Sequence, residues 1–154
     1  MTRDELEKAA IATALNQGLD PALVCAVCAH ESDGWQQFAV RYEPGFYSRY
    51  IESMTGLSQT EKTMRATSFG LMQIMGQTAR EFGFDGKFLT ELLEPLNAVI
   101  YGCRKLKRCL DKNNGDVPAA LLQYNGGGNA NYPDLVMAHY KDYAYLNSGV
   151  MPRP

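Results

Sequence analysis

Between Leu23 and Ala29 every position is apolar or small, through Val24, Cys25, Ala26, Val27 and Cys28. A helix that is apolar all round is a core helix, because no face of it is suited to water. Asp20-Pro21 supplies its start, with Asp at the N-cap and Pro in the first helical position. The spacing predicts a helix over Pro21 to about Glu31, followed by a turn at Asp33-Gly34-Trp35. Ahead of it, Thr2 and Glu5 have the spacing of a capping box. Leu6, Ala9, Ala10, Ala14 and Leu15 then recur at helical intervals until Gly18.

The remaining pattern is also helical. Phe46 to Met54 predicts a short helix ended by Gly56, and Ser58 caps another running to about Arg65. Thr78 to Phe82 predicts a helical turn broken by Gly83 and Gly86, and Phe88 to Leu93 a short helix before Pro95. Leu96, Val99, Ile100, Cys103, Leu106 and Leu110 define one face of a long helix from Pro95 to about Asn113. Arg104, Lys105, Lys107 and Arg108 fall on its other side and read most simply as a solvated face. Val117 to Tyr124 and Tyr132 to Leu146 complete the set, separated by the loop Asn125-Gly126-Gly127-Gly128-Asn129. The tail from Asn147, with Pro152 and Pro154, is expected to fray. The chain therefore reads as all-α, with any hairpin lying between residues 35 and 67.

Composition narrows the class without naming the chemistry. At 154 residues the chain reads as one domain over 1–154, long enough to bury about two-thirds of its unfolded surface without staples. A formal charge of -2 argues against nucleic acid as a partner, which calls for a basic patch. No apolar run reaches the ~18 residues of a membrane span, and the charged start Met1-Thr2-Arg3-Asp4-Glu5 does not read as a signal peptide. Cys25 and Cys28 form a C-x-x-C within a helical run, not within a zinc-type loop, and Cys103 and Cys109 lie in the long helix. Buried reduced thiols are the simplest state for all four, a disulfide between the two helices the alternative.

The chemistry starts at Glu31. A carboxylate at the end of a buried helix is costly to keep ionised, and a carboxyl group held neutral is what general-acid catalysis requires. The bland alternative is a first solvated residue beyond the core. The stretch from Ser32 to Gly45 then holds Trp35, Phe38, Arg41, Tyr42, Glu43 and Pro44, the densest aromatic and charged segment of the chain.

Three separated motifs carry a resemblance. His30-Glu31-Ser32, Gly70-Leu71-Met72-Gln73-Ile74-Met75 and Gln123-Tyr124-Asn125-Gly126-Gly127 stand in this order. Together they resemble the catalytic domain of soluble lytic transglycosylases, relatives of goose-type lysozyme, over roughly Pro21 to Leu146. The Gly-Leu-Met-Gln-Ile segment with Tyr-Asn-x-Gly behind it is specific; Glu-Ser alone is not. Gln123 replaces a common Ala, and the long Glu31–Gly70 segment is more similar to phage-type or muramidase-like variants.

The resemblance implies a lysozyme-like fold and cleavage of the β-1,4 bond between N-acetylmuramic acid and N-acetylglucosamine in peptidoglycan. Glu31 would be general acid and then base, the muramyl 6-hydroxyl closing a 1,6-anhydro ring. Tyr124 would hydrogen-bond Glu31, while Met72, Gln73, Ser68, Asn125 and Trp35 would contact sugar. Each has a structural alternative: packing for Tyr124 and Trp35, a buried amphipathic turn for Met72 and Gln73, turn or loop formation for Ser68 and Asn125. A muramidase would instead need a second carboxylate roughly 6.5–9.5 Å from the first. Glu43 and Asp33 are the candidates; for Glu43 an ion pair to Arg41 or Arg49 is the simpler reading and sugar binding a further one. Asp33, two residues from Glu31, reads as a turn residue, and His30 and His139 as packed or surface. No cofactor or metal is implied, and a non-catalytic peptidoglycan-binding module is the remaining reading. The expected partner is the glycan strand, with no nucleic acid and no membrane span, acted on by a monomer in the periplasm or outside the cell. The unleadered start suits a phage endolysin or a non-Sec export route.

Overall fold

The most buried helix is the one the apolar run predicts. In the computed structural model, which describes residues 1–148, α2 spans Pro21–Glu31 and every residue from Ala22 to Ala29 is buried. Asp20 caps it, its carboxylate accepting from the Ala22 and Leu23 amides. The same carboxylate accepts from the Tyr140 hydroxyl at 2.8 Å and the Asn147 amide at 3.0 Å. Asn147 is thus tied to the start of α2, contrary to the expected fraying; Pro152 and Pro154 lie outside the described residues.

Around α2 stand α1 (Arg3–Asn16), α6 (Pro95–Lys112), α7 (Val117–Tyr124) and α8 (Tyr132–Tyr143). The capping box of α1 is formed, and Gly18 leaves its helix at φ +68°. α1 buries Leu6, Ala10, Thr13 and Ala14; α6 buries Val99, Cys103, Leu106 and Cys109. These helices share one core that contains all of the apolar run. The four cysteines are free and buried, so the alternative of a disulfide between helices is not formed. Burial pushes the Cys25 and Cys103 thiols up to about 12.

A second, smaller core gathers Phe69, Ile74, Ala79, Phe84, Leu89 and Leu92. Its elements are β1 (Val40–Tyr42), α3 (Pro44–Phe46), α4 (Gln59–Arg65), β2 (Thr67–Phe69), β3 (Ile74–Met75), α5 (Gly76–Glu81) and a tight turn of helix at Leu89–Leu93. α3 runs on into a wider π-type turn at Tyr47–Ile51.

The sheet corrects the sequence reading. β1, β2 and β3 form an antiparallel sheet in that order, with Arg41 opposite Ser68 and Ser68 opposite Met75. The hairpin proper is therefore β2–β3, beyond the 35–67 window, and β1 joins it across a long connection. Gly70 (φ +67°) and Gln73 (φ +43°) supply the reversal. The apolar run Leu71-Met72 in its centre hides the hairpin, because turn residues are ordinarily polar.

One ion-pair network staples the smaller lobe. Glu61 accepts from Arg65 Nε and Arg80 Nε, each at 3.0 Å. Arg80 also donates to the carbonyls of Phe84 and Gly86. Burial alone would raise the Glu61 carboxyl, but hydrogen bonds and charge from Arg80 and Arg65 outweigh it and hold the group below its ordinary 4.5. A folded value below the unfolded one adds stability that is fully present above about pH 4.5 and is lost as pH falls through the folded value. Glu61→Ala is expected to cost about 1–3 kcal/mol at neutral pH. Denaturant titrations across pH should show the gap to the native chain closing as pH drops below 4.5.

Candidate active site

Glu31 is the last residue of α2, where the helix emerges from the core. The chain turns away immediately after it. Ser32 Oγ donates to the Cys28 carbonyl at 2.6 Å and accepts from the Trp35 amide at 3.1 Å. Asp33, Gly34 and Trp35 follow with φ of +47°, +80° and +76°. A bulky residue at positive φ is strained and persists only where its surroundings hold it. Trp35 is held: it is 5% exposed, and its indole nitrogen donates to the Tyr143 hydroxyl at 2.8 Å. Trp35 is thus a core residue and not a sugar platform, which corrects its place among the expected substrate contacts.

The Glu31 carboxylate accepts a 2.5 Å hydrogen bond at Oε1 from the Tyr132 hydroxyl. Tyr132 is 2% exposed, at the first turn of α8. Burial, then the Glu31 charge, then this hydrogen bond push its phenol far up, so Tyr132 stays a donor. The His30 ring stands edge-on to Tyr132 with centroids 5.2 Å apart and lies 5.8 Å from His139. Burial lowers His30 from its ordinary value, the Glu31 charge opposing, and a neutral ring packs there without a second charge.

Tyr124, the expected partner of Glu31, is bonded elsewhere: its hydroxyl donates to the Met72 carbonyl at 2.8 Å. α7 thus holds the β2–β3 turn rather than the carboxylate. The glycine loop after α7 carries the chain on to Tyr132 at the head of α8. Asn125 shapes that loop, its Oδ1 accepting from the Asn129 amide at 3.1 Å. The signal that could have found Tyr132 is its place at the head of an apolar stripe, Tyr132, Val136 and Tyr143, that packs along α2.

A cleft of about 340 Å³ opens between the two cores. The helical body contributes Glu31, Lys105, Tyr124, Asn125 and Gly128. The smaller lobe contributes Arg41, Glu43, Phe46, Ser68, Gln73 and Met75. Six of the eight expected site residues therefore meet in one cleft, and Trp35 and Met72 do not. Met72 is fully buried, its Sδ 4.0 Å from Cys103 Sγ. Gln73 and Ser68 line the wall, but their polar groups also build it. The Gln73 amide donates to the carbonyls of Ala39 (3.1 Å) and Gly70 (3.0 Å), and its Oε1 accepts from Ser68 Oγ at 2.8 Å. Glu43 Oε1 pairs with Arg41 Nε at 2.6 Å. Lys105, read from the sequence as one of a solvated row, turns into the cleft instead, its Nζ 4.2 Å from the Tyr124 ring centroid.

The β2–β3 turn couples the two cores. Leu71 and Met72 enter the helical core while Phe69 and Ile74 on either side enter the smaller one. Two glycines permit this. A Cβ on Gly70 would stand 2.7 Å from Ala98 Cβ, and one on Gly102 of α6 would stand 2.5 Å from the Met72 side chain.

The family described as Transglycosylase SLT domain matches this chain over residues 8–143. No solved structure matches it.

Gly102→Val tests the coupling of the turn to α6. The new side chain must displace Met72, with an expected loss of about 1–3 kcal/mol, read as a melting temperature roughly 2–12 °C lower. Gly45→Ala, where no atom lies within 4 Å of the added Cβ, is the matched control and should stay within about 0.5 kcal/mol.

Proposed function

The chain belongs to the transglycosylase SLT domain family, whose substrate is peptidoglycan, and from that premise we propose the reaction and the residues that carry it. The proposed reaction is non-hydrolytic cleavage of the β-1,4 bond from N-acetylmuramic acid to N-acetylglucosamine, ending in 1,6-anhydromuramic acid. Glu31 performs both proton transfers.

The observation that carries this reading is the placement of Glu31. It ends a helix buried on every side, opens onto the cleft, and has one oxygen already engaged by Tyr132. With Oε1 accepting from Tyr132, the proton of the neutral acid sits on Oε2. That proton passes to the glycosidic oxygen as the bond to the muramyl C1 breaks, because an unprotonated sugar oxygen is a poor leaving group. The oxocarbenium-like centre is stabilised by the substrate's own N-acetyl oxygen. Glu31, now a carboxylate, takes the proton of the muramyl 6-hydroxyl, and O6 bonds to C1. No water is consumed and Glu31 returns to its starting state. Tyr132 fixes the carboxyl geometry in both halves.

A muramidase reading keeps one specific observation in its favour: Glu43 lines the same cleft. Its pairing with Arg41 at 2.6 Å weighs the other way, since that oxygen is already engaged by a guanidinium and not free to aim a water. A binding module would use the cleft without Glu31 chemistry.

Mass spectrometry of muropeptides released from purified peptidoglycan separates these readings. Anhydro-muramyl ends are the expected product. Ends one water heavier would overturn the transglycosylase in favour of a hydrolase using Glu43, and no release would leave the binding module. Glu31→Gln should lower turnover by at least ~10²–10⁴-fold, the range for general acid–base catalysis. Tyr132→Phe is expected to lower kcat by about 10–100-fold, the equivalent of one hydrogen bond to a charged group, with the fold intact by circular dichroism.

A further inference from the structure

Four cations fall together on α6, and the fold treats one of them differently. Arg104, Lys107 and Arg108 are exposed, whereas Lys105 is partly covered. Arg104 donates to the Phe82 carbonyl and lies over the Tyr101 ring, and Arg108 lies over Phe82. Lys105 turns to the opposite side, onto the Tyr124 ring, in the wall that also holds Glu31.

Its ammonium is placed but not paired. Tyr124 is a rigid platform, since the Met72 carbonyl holds its hydroxyl. Among the described residues no carboxylate lies within ion-pair distance of Lys105 and no hydrogen bond reaches it. The other cation of the cleft, Arg41, is already tied to Glu43. Burial lowers Lys105 from its ordinary value, the Glu31 charge partly opposing. An ammonium carries three donors, and holding it partly out of water without acceptors is unfavourable. An incoming acceptor would remove that penalty.

Sugar hydroxyls and acetamides are neutral. The anionic groups that peptidoglycan brings to such a cleft are carboxylates of the muramyl branch. We propose that Lys105 is a specificity-determining residue that binds a carboxylate carried by the muramyl unit beside the scissile bond. Two sources share this chemistry: the free lactyl carboxylate of a strand without peptides, and the nearest carboxylate of a peptide stem. The inference rests on the reading of this cleft as a peptidoglycan site. It gives the cleft a means of telling a muramyl from a glucosaminyl residue that hydroxyl and acetamide contacts lack.

The test measures binding rather than turnover. In the full chain carrying Glu31→Gln, calorimetry would compare three probes: stem-free glycan strands, the same strands with their carboxylates converted to methylamides, and stem-bearing strands. With Lys105 present, a carboxylate-bearing strand is expected to bind about tenfold more tightly than the methylamide strand, a gap of ~1.4 kcal/mol that narrows with added salt. Lys105→Met keeps the aliphatic stem over Tyr124 and should erase the gap; Lys105→Arg should keep it. Tighter binding of stem-free strands assigns the lactyl carboxylate, and tighter binding of stem-bearing strands assigns the stem. Equal binding of acid and methylamide strands with Lys105 present, a comparison that needs no variant at this position, overturns the proposal. So does a gap that survives in Lys105→Met. Those results would leave the peptidoglycan reading standing, whereas failure of every strand to bind would overturn that reading and this one together.

Discussion

The burial of α2 on every side is the constraint on which the rest of the molecule depends. A helix with no polar face must be enclosed, and α1, α6, α7 and α8 enclose it. Such a helix can place a carboxylate only at its end. Glu31 stands there, one residue before Ser32 and the strained turn that sends the chain away. The carboxylate thus sits on a rigid rod, and α8, packed along that rod, delivers the Tyr132 hydroxyl to it. Position and hydrogen bonding of the acid both follow from packing.

The second wall of the cleft is fixed by a different device. The Gly70–Gln73 turn drives Leu71 and Met72 into the helical core while its flanking strands belong to the smaller one. Glycine at Gly102 lets Met72 lie against α6, and Tyr124 holds the Met72 carbonyl. Ser68 and Gln73 are consequently held in place by the turn they help to form. Side chains whose polar groups are committed to backbone offer a preorganised surface rather than adaptable contacts.

The electrostatics of the cleft divide by wall. On the sheet side, Arg41 and Glu43 neutralise each other across a pair with one exposed partner, a modest interaction in water. On the helical side, among the described residues, neither Glu31 nor Lys105 forms an ion pair, and Glu31 accepts from the neutral Tyr132 hydroxyl. Charge left open in a partly covered site is charge available to a ligand.

Most of this architecture is legible in the amino-acid order. The apolar run, the Asp20-Pro21 start and the Ser58 cap place α2 and α4, because capping and periodicity act within a few residues. Glu31, Gln73, Tyr124 and Asn125 could be singled out as site candidates from motifs alone. What the order could not settle is which side chains meet. Tyr124 and Tyr132 are both helix-terminal tyrosines, and only the docking of α8 on α2 gives Glu31 to the second and the Met72 carbonyl to the first. Trp35, from the aromatic stretch, and Met72, from a motif, look like cleft residues and become core through long-range packing. Lys105 has three cationic neighbours in sequence, and its turn into the cleft depends on a ring supplied by α7. Local order thus determined the helices and the acid at the end of the buried one. Tertiary structure decided the acid's partner, the wall that faces it and the cation beside it, because those contacts join residues dozens to a hundred positions apart.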